Sequence, residues 1–331
     1  MLFLLSILFF VLVNVAPGDP LSGLSPRPPR PEKREALKRQ FGLDKPLAIQ
    51  YVIWLAGNDW MQIDLDGDGI AESRGERKGI LRGDFGFSFR SRKPVMEEIS
   101  DRLGNTVYLM SVTLIVVAII AIPIGVISAV KQYSFFDISI TTLSFMGQAI
   151  PEFWLGMILI IVFYSVLSNP FTGDPLLPAG GMSTLGADFS IMDRIKHLIL
   201  PVTMGAVGWV AWYSRFLRAG MLDVIHQDYV RTARAKGLSE RLVMGRHALK
   251  NALIPLVTVF ALDIPYIFAG SLYVELIFSW PGMGRLYYNA ATGRDYPLLM
   301  AILIIAAGFT LFANLMADIA YAYLDPRVRY T

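Results

Sequence analysis

Apolar residues along this chain gather in six runs, at 2–16, 106–130, 138–167, 198–217, 252–272 and 298–323, separated by polar stretches. A helix needs about 20 apolar residues to cross roughly 30 Å of hydrocarbon, and every run but the first reaches that length. The first is broken only by Ser6 and Asn14, and at about 1.5 Å per residue it spans only about 22 Å. It has no basic leader, and Asn14-Val15-Ala16 before Pro17 makes a poor cleavage site. It therefore reads as a retained helix with a clipped start. Six membrane-spanning helices are the expectation.

The stretch 17–105 is polar, and Pro26, Pro28, Pro29 and Pro31 interrupt regular structure near its start. Within it, 32–41 is rich in helix formers and ends at Gly42, while 46–55 reads as an amphipathic helix lying on the membrane with Ile49, Val52, Ile53 and Trp54 on its apolar face. Pro123, Pro151, Pro201, Pro255 and Pro265 fall in or at the edge of the apolar runs. Proline in a spanning helix is tolerated where neighbouring helices or water satisfy the freed carbonyls, so these positions suggest a bundle around a cavity.

Composition agrees with the runs: 54% of residues are hydrophobic and 17% charged, against about 25% charged in soluble domains. With no cysteine, disulfides, thiolate metal sites and thiol nucleophiles are excluded. The net charge of +3 is unevenly placed. Lys131, Arg218, Arg231, Arg234, Lys236, Arg241, Arg246, Lys250, Arg327 and Arg329 fall on one side of the spans, and only Arg194, Lys196, Arg285 and Arg294 in the short loops of the other. By the positive-inside rule the first side is cytoplasmic, both termini lie there, and the long 17–105 segment is external.

The longest cytosolic segment, 218–250, contains Asp228-Tyr-Val-Arg-Thr-Ala-Arg-Ala-Lys-Gly237. Its pattern is helix, glycine turn, helix: Tyr229, Ala233 and Lys236 recur on one face, Gly237 breaks the helix, and Ser239 stands where it can cap the next one with Leu242 and Val243 inward. Small residues at Ala233 and Ala235 would let a partner surface come close. By itself this pattern also suits a basic hairpin that only sets topology.

That segment resembles the signature of ABC importer permeases, in its dipeptide/oligopeptide branch. Further matches run in order: Ala-Pro-Gly-Asp-Pro at 16–20, Phe-Gly-Leu-Asp-Lys-Pro at 41–46, Gly83-Asp-Phe-Gly-Phe-Ser88, Pro151-Glu-Phe-Trp154, Phe278-Ser-Trp-Pro-Gly-Met-Gly-Arg285, Arg294-Asp-Tyr-Pro297 and Asp325-Pro-Arg-Val-Arg329. Arg231 and Thr232 replace the Glu-Ala of the wider importer signature, which is usual for the peptide branch. The resemblance implies an all-α integral membrane protein of the type I importer kind: a first helix at 1–16, an extracytoplasmic domain at 17–105 with an insertion at 57–82, and a permease core at 106–331. It implies a multi-pass protein of a prokaryotic cell membrane and no enzyme. Its partners would be a second, homologous permease subunit, two ATP-binding subunits that carry ATP and magnesium, and an extracytoplasmic substrate-binding protein. Tyr229, Arg231, Thr232, Ala233, Ala235, Lys236 and Gly237 would form the coupling helix and turn that dock on the ATPase. Peptide cargo is expected, with nickel or sugar as alternatives. The chain has no Gly-x-x-x-x-Gly-Lys-Ser/Thr loop, so ATP would be bound by another polypeptide. A self-sufficient channel or carrier leaves the docking loop unexplained and shows no obvious inverted repeat, and an intramembrane hydrolase lacks a nucleophile motif.

Three further features carry chemistry. Asp64, Asp66 and Asp68 alternate with Gly67 and Gly69, followed by Ile70 and Glu72. That spacing suits a structural calcium ion held by the four carboxylates and the Ile70 carbonyl, although Gly75 stands where an EF-hand has its closing acid. A solvated acidic turn is the alternative. Asp263 lies mid-run, where a lone charge facing lipid is costly; it faces either the translocation path or an interhelical partner. Glu152 beside Pro151 has the same two readings, and Asn314 with Asp318 reads as an interhelical contact.

Overall fold

The computed structural model describes residues 1–15, 30–66, 68, 70–71 and 73–324. The segments 16–20 and 325–329 and Glu72 lie outside the described residues, as does the side chain of Asp318. In chain order the elements begin with α1 Leu2–Val15, α2 Pro31–Gln40, α3 Leu47–Ala56, the strands β1 Gln62–Ile63 and β2 Ser73–Arg74, and α4 Val95–Val130. There follow α5 Phe135–Ala149, α6 Glu152–Ile160 with a π-helical end Ile161–Val166, α7 Ile191–Ile225, α8 Asp228–Ala235 and α9 Glu240–Leu242. A π-helical stretch Val243–Leu249 leads into α10 Lys250–Asp263, and α11 Pro265–Ala269, α12 Leu272–Ile277, α13 Met283–Thr292 and α14 Tyr296–Leu324 complete the described chain.

Among the described residues, Val95–Val130, Ile191–Ile225, Glu240–Ile277 and Tyr296–Met316 are long and apolar enough to cross a membrane. The run 138–167, expected as one helix, is instead two, α5 and α6, bent by 98°. The cause is local. Ile150 precedes Pro151 and takes an extended ψ of 124°, because the proline ring clashes with a helical residue before it. Counted as one, the bent pair makes a fifth span; α1, with 14 residues, is shorter than a span requires. Helix α4 starts eleven residues before the expected position 106, with Val95 and Ile99 fully buried in its first turns.

The chain divides into two compact units. One comprises Met1–Leu103 with Leu286–Leu311. Its core joins Phe10 and Val13 of α1, Trp54 of α3, and Met300 and Ile304 of α14, and the Ser6 and Tyr51 hydroxyls meet at 2.7 Å. Helix α3 thus turns Ile53 and Trp54 into protein, while Ile49 and Val52 stay exposed; the apolar face expected to lie flat on a membrane is split. In the same unit Asp295, 1% exposed, accepts hydrogen bonds from the Ser88 hydroxyl at 2.5 Å, the Phe89 and Arg90 amides at 3.1 and 3.3 Å, and the Leu298 amide at 3.4 Å. One carboxylate thereby caps α14 and fastens the 83–88 segment.

The other unit comprises Gly104–Arg285 with Phe312–Thr331. Helix α7 is its axis, packed by α5, α6 and α10. One core cluster joins Tyr213, Leu217 and Met221 of α7 to Val117 and Ala121 of α4 and Leu256 of α10. A second joins Leu109 of α4 and Leu200 and Met204 of α7 to Phe278 and Trp280.

Candidate functional site

The segment 228–249 is a hairpin with two unlike faces. Helix α8 ends at Ala235, and Gly237 turns the chain at φ +75°, a left-handed conformation that costs a side chain about 1–2 kcal/mol. A Cβ placed there meets nothing within 4 Å, so the demand for glycine is conformational and not steric. Ser239 occupies the N-cap position without a side-chain cap hydrogen bond; the turn is held instead by Arg234, whose guanidinium reaches Glu240 at 2.8 Å. That carboxylate raises the Arg234 pKa.

Val230 and Ala233 turn inward, joining Val243, Met244 and Ala248 and the α7 residues Leu217 and Met221 in one apolar cluster. Tyr229, Arg231, Thr232, Arg234, Ala235 and Lys236 are exposed. Ala233, expected on a face open to a partner, is 5% exposed and packs within the chain, and of Leu242 and Val243, both expected inward, Leu242 is exposed while Val243 is buried. The helical period explains the first: the side chains that meet α7 stand three apart at 230 and 233, and Tyr229 falls off that stripe.

Asp263 closes α10, and its carboxylate accepts a hydrogen bond from Tyr213 of α7. Tyr213 is 1% exposed and stacks on Phe260 with ring centroids 4.0 Å apart, so Asp263 has the interhelical partner that one of its two readings requires. Glu152, exposed at the start of α6, is hydrogen-bonded to the Ser271 side chain. Asn314 is exposed. Near the other end of α7, Arg218 holds buried Asp137 of α5 through two hydrogen bonds of 2.6 and 2.7 Å.

Among the described residues, two buried carboxylates, Asp137 and Glu275, fall outside the residues that the sequence singles out. Glu275 of α12 is fully buried and accepts from the Thr106 hydroxyl at 2.8 Å, the Arg285 amide at 3.0 Å and the Gly284 amide. A Cβ on Gly282 would stand 2.6 Å from its carboxyl carbon and 2.4 Å from the Thr106 hydroxyl oxygen, so only glycine lets the 278–285 segment close around it. The Trp280 indole donates to the Asn105 carbonyl at 3.0 Å, and the Asn105 side chain donates to the Pro281 carbonyl at 2.8 Å. The available signal was a single acid in the apolar stretch 271–278, the same signal that marks Asp263.

The acidic segment is the loop of a two-residue β-hairpin that pairs Gln62 with Arg74 and Ile63 with Ser73. Ligand oxygens of Asp64, Asp66 and Asp68 lie within 4.8 Å of one another. Asp66 accepts from the Asp68 amide at 3.1 Å and Asp68 from the Ile70 amide at 2.7 Å.

Residues 121–330 match the family described as binding-protein-dependent transport system inner membrane component, and residues 1–110 match the N-terminal family of the same membrane component. The chain belongs to this family. Its members are components of transport systems, so the chain is a transport subunit and not an enzyme. It is similar to the oligopeptide transport system permease protein AppB of Bacillus subtilis, 44% identical over 98% of this chain and 94% of that protein. It is also similar to the dipeptide transport system permease protein DppB of Escherichia coli K12, 34% identical over 98% of this chain and 94% of that protein. An inward-facing structure of the MetNI methionine ABC transporter shares the fold, with a TM-score of 0.54 at 15% identity, covering 70% of this chain and 99% of that one. Among the motifs of this transport component, two that are far apart in sequence meet in space at Asp295, and the 278–285 motif closes on Glu275.

Proposed function

We propose that this chain is a permease subunit of an ATP-driven importer of short peptides, and that the 228–237 helix and turn couple it to an ATPase. The observation that carries the coupling role is the division of that hairpin: Val230 and Ala233 bury into the core that includes α7, while the opposite face is bare. A push on that face moves α7 and α10 as one body, because packed cores switch between discrete arrangements and do not deform smoothly. Peptide cargo is supported by the similarity to an oligopeptide and a dipeptide transport system permease.

In this reading α1 is the first of six spans, the chain is multi-pass in a prokaryotic cell membrane with both termini cytoplasmic, and the polar stretch 17–105 with its insertion at 57–82 is extracytoplasmic. The partners are a second permease, two ATP-binding subunits and a substrate-binding protein. Asp263 and Glu152 border the path, Asp263 offering a peptide amine a transient, water-screened ion pair. The experiment is reconstitution in proteoliposomes: uptake of a labelled dipeptide should require this chain, its partners and ATP together, and the chain alone should hydrolyse no ATP. ATP hydrolysis by the purified chain, or uptake without the ATPase subunits, refutes the reading.

A second reading concerns the acidic loop. We propose that Asp64, Asp66 and Asp68, with the Ile70 carbonyl and Glu72, hold a structural calcium ion. Three carboxylates brought within 4.8 Å repel unless a cation neutralises them, and oxygen ligands of this kind suit calcium.

A further inference from the structure

The unit formed by Met1–Leu103 and Leu286–Leu311 contains a cavity of about 690 Å³ that the transport reading leaves unused. That volume lies within the range of small-molecule sites, about 300–1,000 Å³. Its charge is one-sided: Lys33, Arg74, Arg77 and Arg92 line it, against Glu76 and Asp84. Asp84 is occupied by the backbone, accepting from the Lys78 amide at 2.8 Å and the Gly86 amide at 2.9 Å.

Arg77 is the distinctive member. Its backbone amide donates to the Asn58 side chain at 3.0 Å, which fixes the main chain, and a Cβ on Gly86 would stand 2.9 Å from a guanidinium nitrogen, so the glycine of the 83–88 motif leaves that group its room. Side-chain exposure is only intermediate, yet the guanidinium makes no hydrogen bond or ion pair among the described residues. Burial lowers its pKa while nearby Asp84 acts in the opposite sense. A guanidinium stays protonated in proteins, and a half-buried one whose nearby carboxylate, Asp84, makes no ion-pair contact with it is poised for a bidentate acid. Beside it the lining is aromatic: Phe41 and Phe89 pack with ring centroids 5.5 Å apart, and Phe87 is 63% exposed at the mouth.

We infer that this cavity is a binding site for a small amphipathic carboxylate, with the acid held by Arg77 and the apolar body against Phe41 and Phe89. The chemistry is shared by the C-terminus of a short peptide and by a free acyl acid. The test uses the full chain in lipid nanodiscs, titrated by calorimetry with Ala-Phe, with its C-terminal amide and with dodecanoate. At least one acid should bind with a Kd below about 1 mM, with Ala-Phe at least tenfold tighter than its amide if the source is a peptide, and dodecanoate the tighter if it is an acyl acid. Arg77→Gln should weaken the acid at least tenfold, and Arg77→Lys should restore part of the loss. Phe87→Ala, at an exposed position that folding does not need, should also weaken binding and serves if Arg77→Gln does not fold. Neither acid binding up to about 10 mM, Ala-Phe and its amide binding alike with dodecanoate silent, or undiminished acid binding by Arg77→Gln overturns the proposal.

Discussion

Two glycine-bearing segments of one unit, 228–237 and 275–285, use polar side chains in opposite ways. Around Glu275 the chain closes on itself: the carboxylate is fully buried, its partners are the chain's own hydroxyl and amides, and glycines are there because anything larger would collide. In the 228–237 helix and turn the buried part is purely apolar, Val230 and Ala233, and every charged side chain points out. Gly237 is there for its backbone angle, with open space where a side chain would go. A motif that satisfies its own polar groups holds the fold together; a motif that leaves them exposed on a rigid base is equipped to meet something else.

The largest effect should come from breaking the closed segment. Glu275→Gln puts an amide donor where only acceptors are served, leaving at least one buried partner unmet, at about 1–3 kcal/mol for each orphaned group. The purified chain should melt several degrees lower, and Gly282→Ala should do the same by collision. Wild-type melting in both variants contradicts the cradle.

Gly237→Val should do the converse. The strain is local, about 1–2 kcal/mol or more for a β-branched residue at positive φ, so the helices should stay folded while ATP hydrolysis in the assembled transporter loses its link to uptake. Unimpaired uptake per ATP removes the coupling role from the turn. A smaller effect is expected for Asp263→Asn, since asparagine still accepts from Tyr213 and only the charge is lost. Uptake of cationic or zwitterionic cargo should fall with binding-protein affinity intact, whereas unchanged uptake of every cargo leaves Asp263 as an interhelical contact.

What could be read from sequence differs for the same physical reasons. Apolar runs located α4, α7, α10 and α14 because lipid demands a long unbroken stretch, and the helix-glycine-helix pattern at 228–240 was legible because it is local. The 98° bend at Ile150–Pro151 was not, since apolar composition is the same on both sides of it; the restriction on the residue before proline was the available clue. Glu275 is not legible because it lies three residues beyond the fifth apolar run, which ends at Leu272, and because its partner Thr106 is 169 residues away.

Smaller effects test the outer loops. If the acidic hairpin holds calcium, a chelator should lower the melting temperature of the wild-type chain and leave Asp66→Asn unmoved; equal behaviour of the two assigns the hairpin to a solvated turn. Smallest is the exposed pair in which Arg82 reaches Asp59 at 2.6 Å. The hydrogen bond from Arg82 lowers the Asp59 pKa in the folded chain, so the pair's contribution is complete above the ordinary aspartate range, about 4, and is lost as pH falls through the lowered value. Arg82→Gln should flatten that acid limb of the stability curve slightly, and a limb unchanged by the substitution shows the pair to be silent.

The central claim, that the bare face of the 228–237 helix is covered by a partner, can be measured directly because the chain has no cysteine. A single Ala235→Cys on that face and a single Leu185→Cys at a fully exposed loop position can each be labelled with a maleimide in permeabilised membranes, with and without the ATPase subunits. The account predicts that the subunits slow labelling at position 235 by at least about tenfold and leave 185 unaffected. Equal labelling of position 235 in the presence and absence of the ATPase would contradict it.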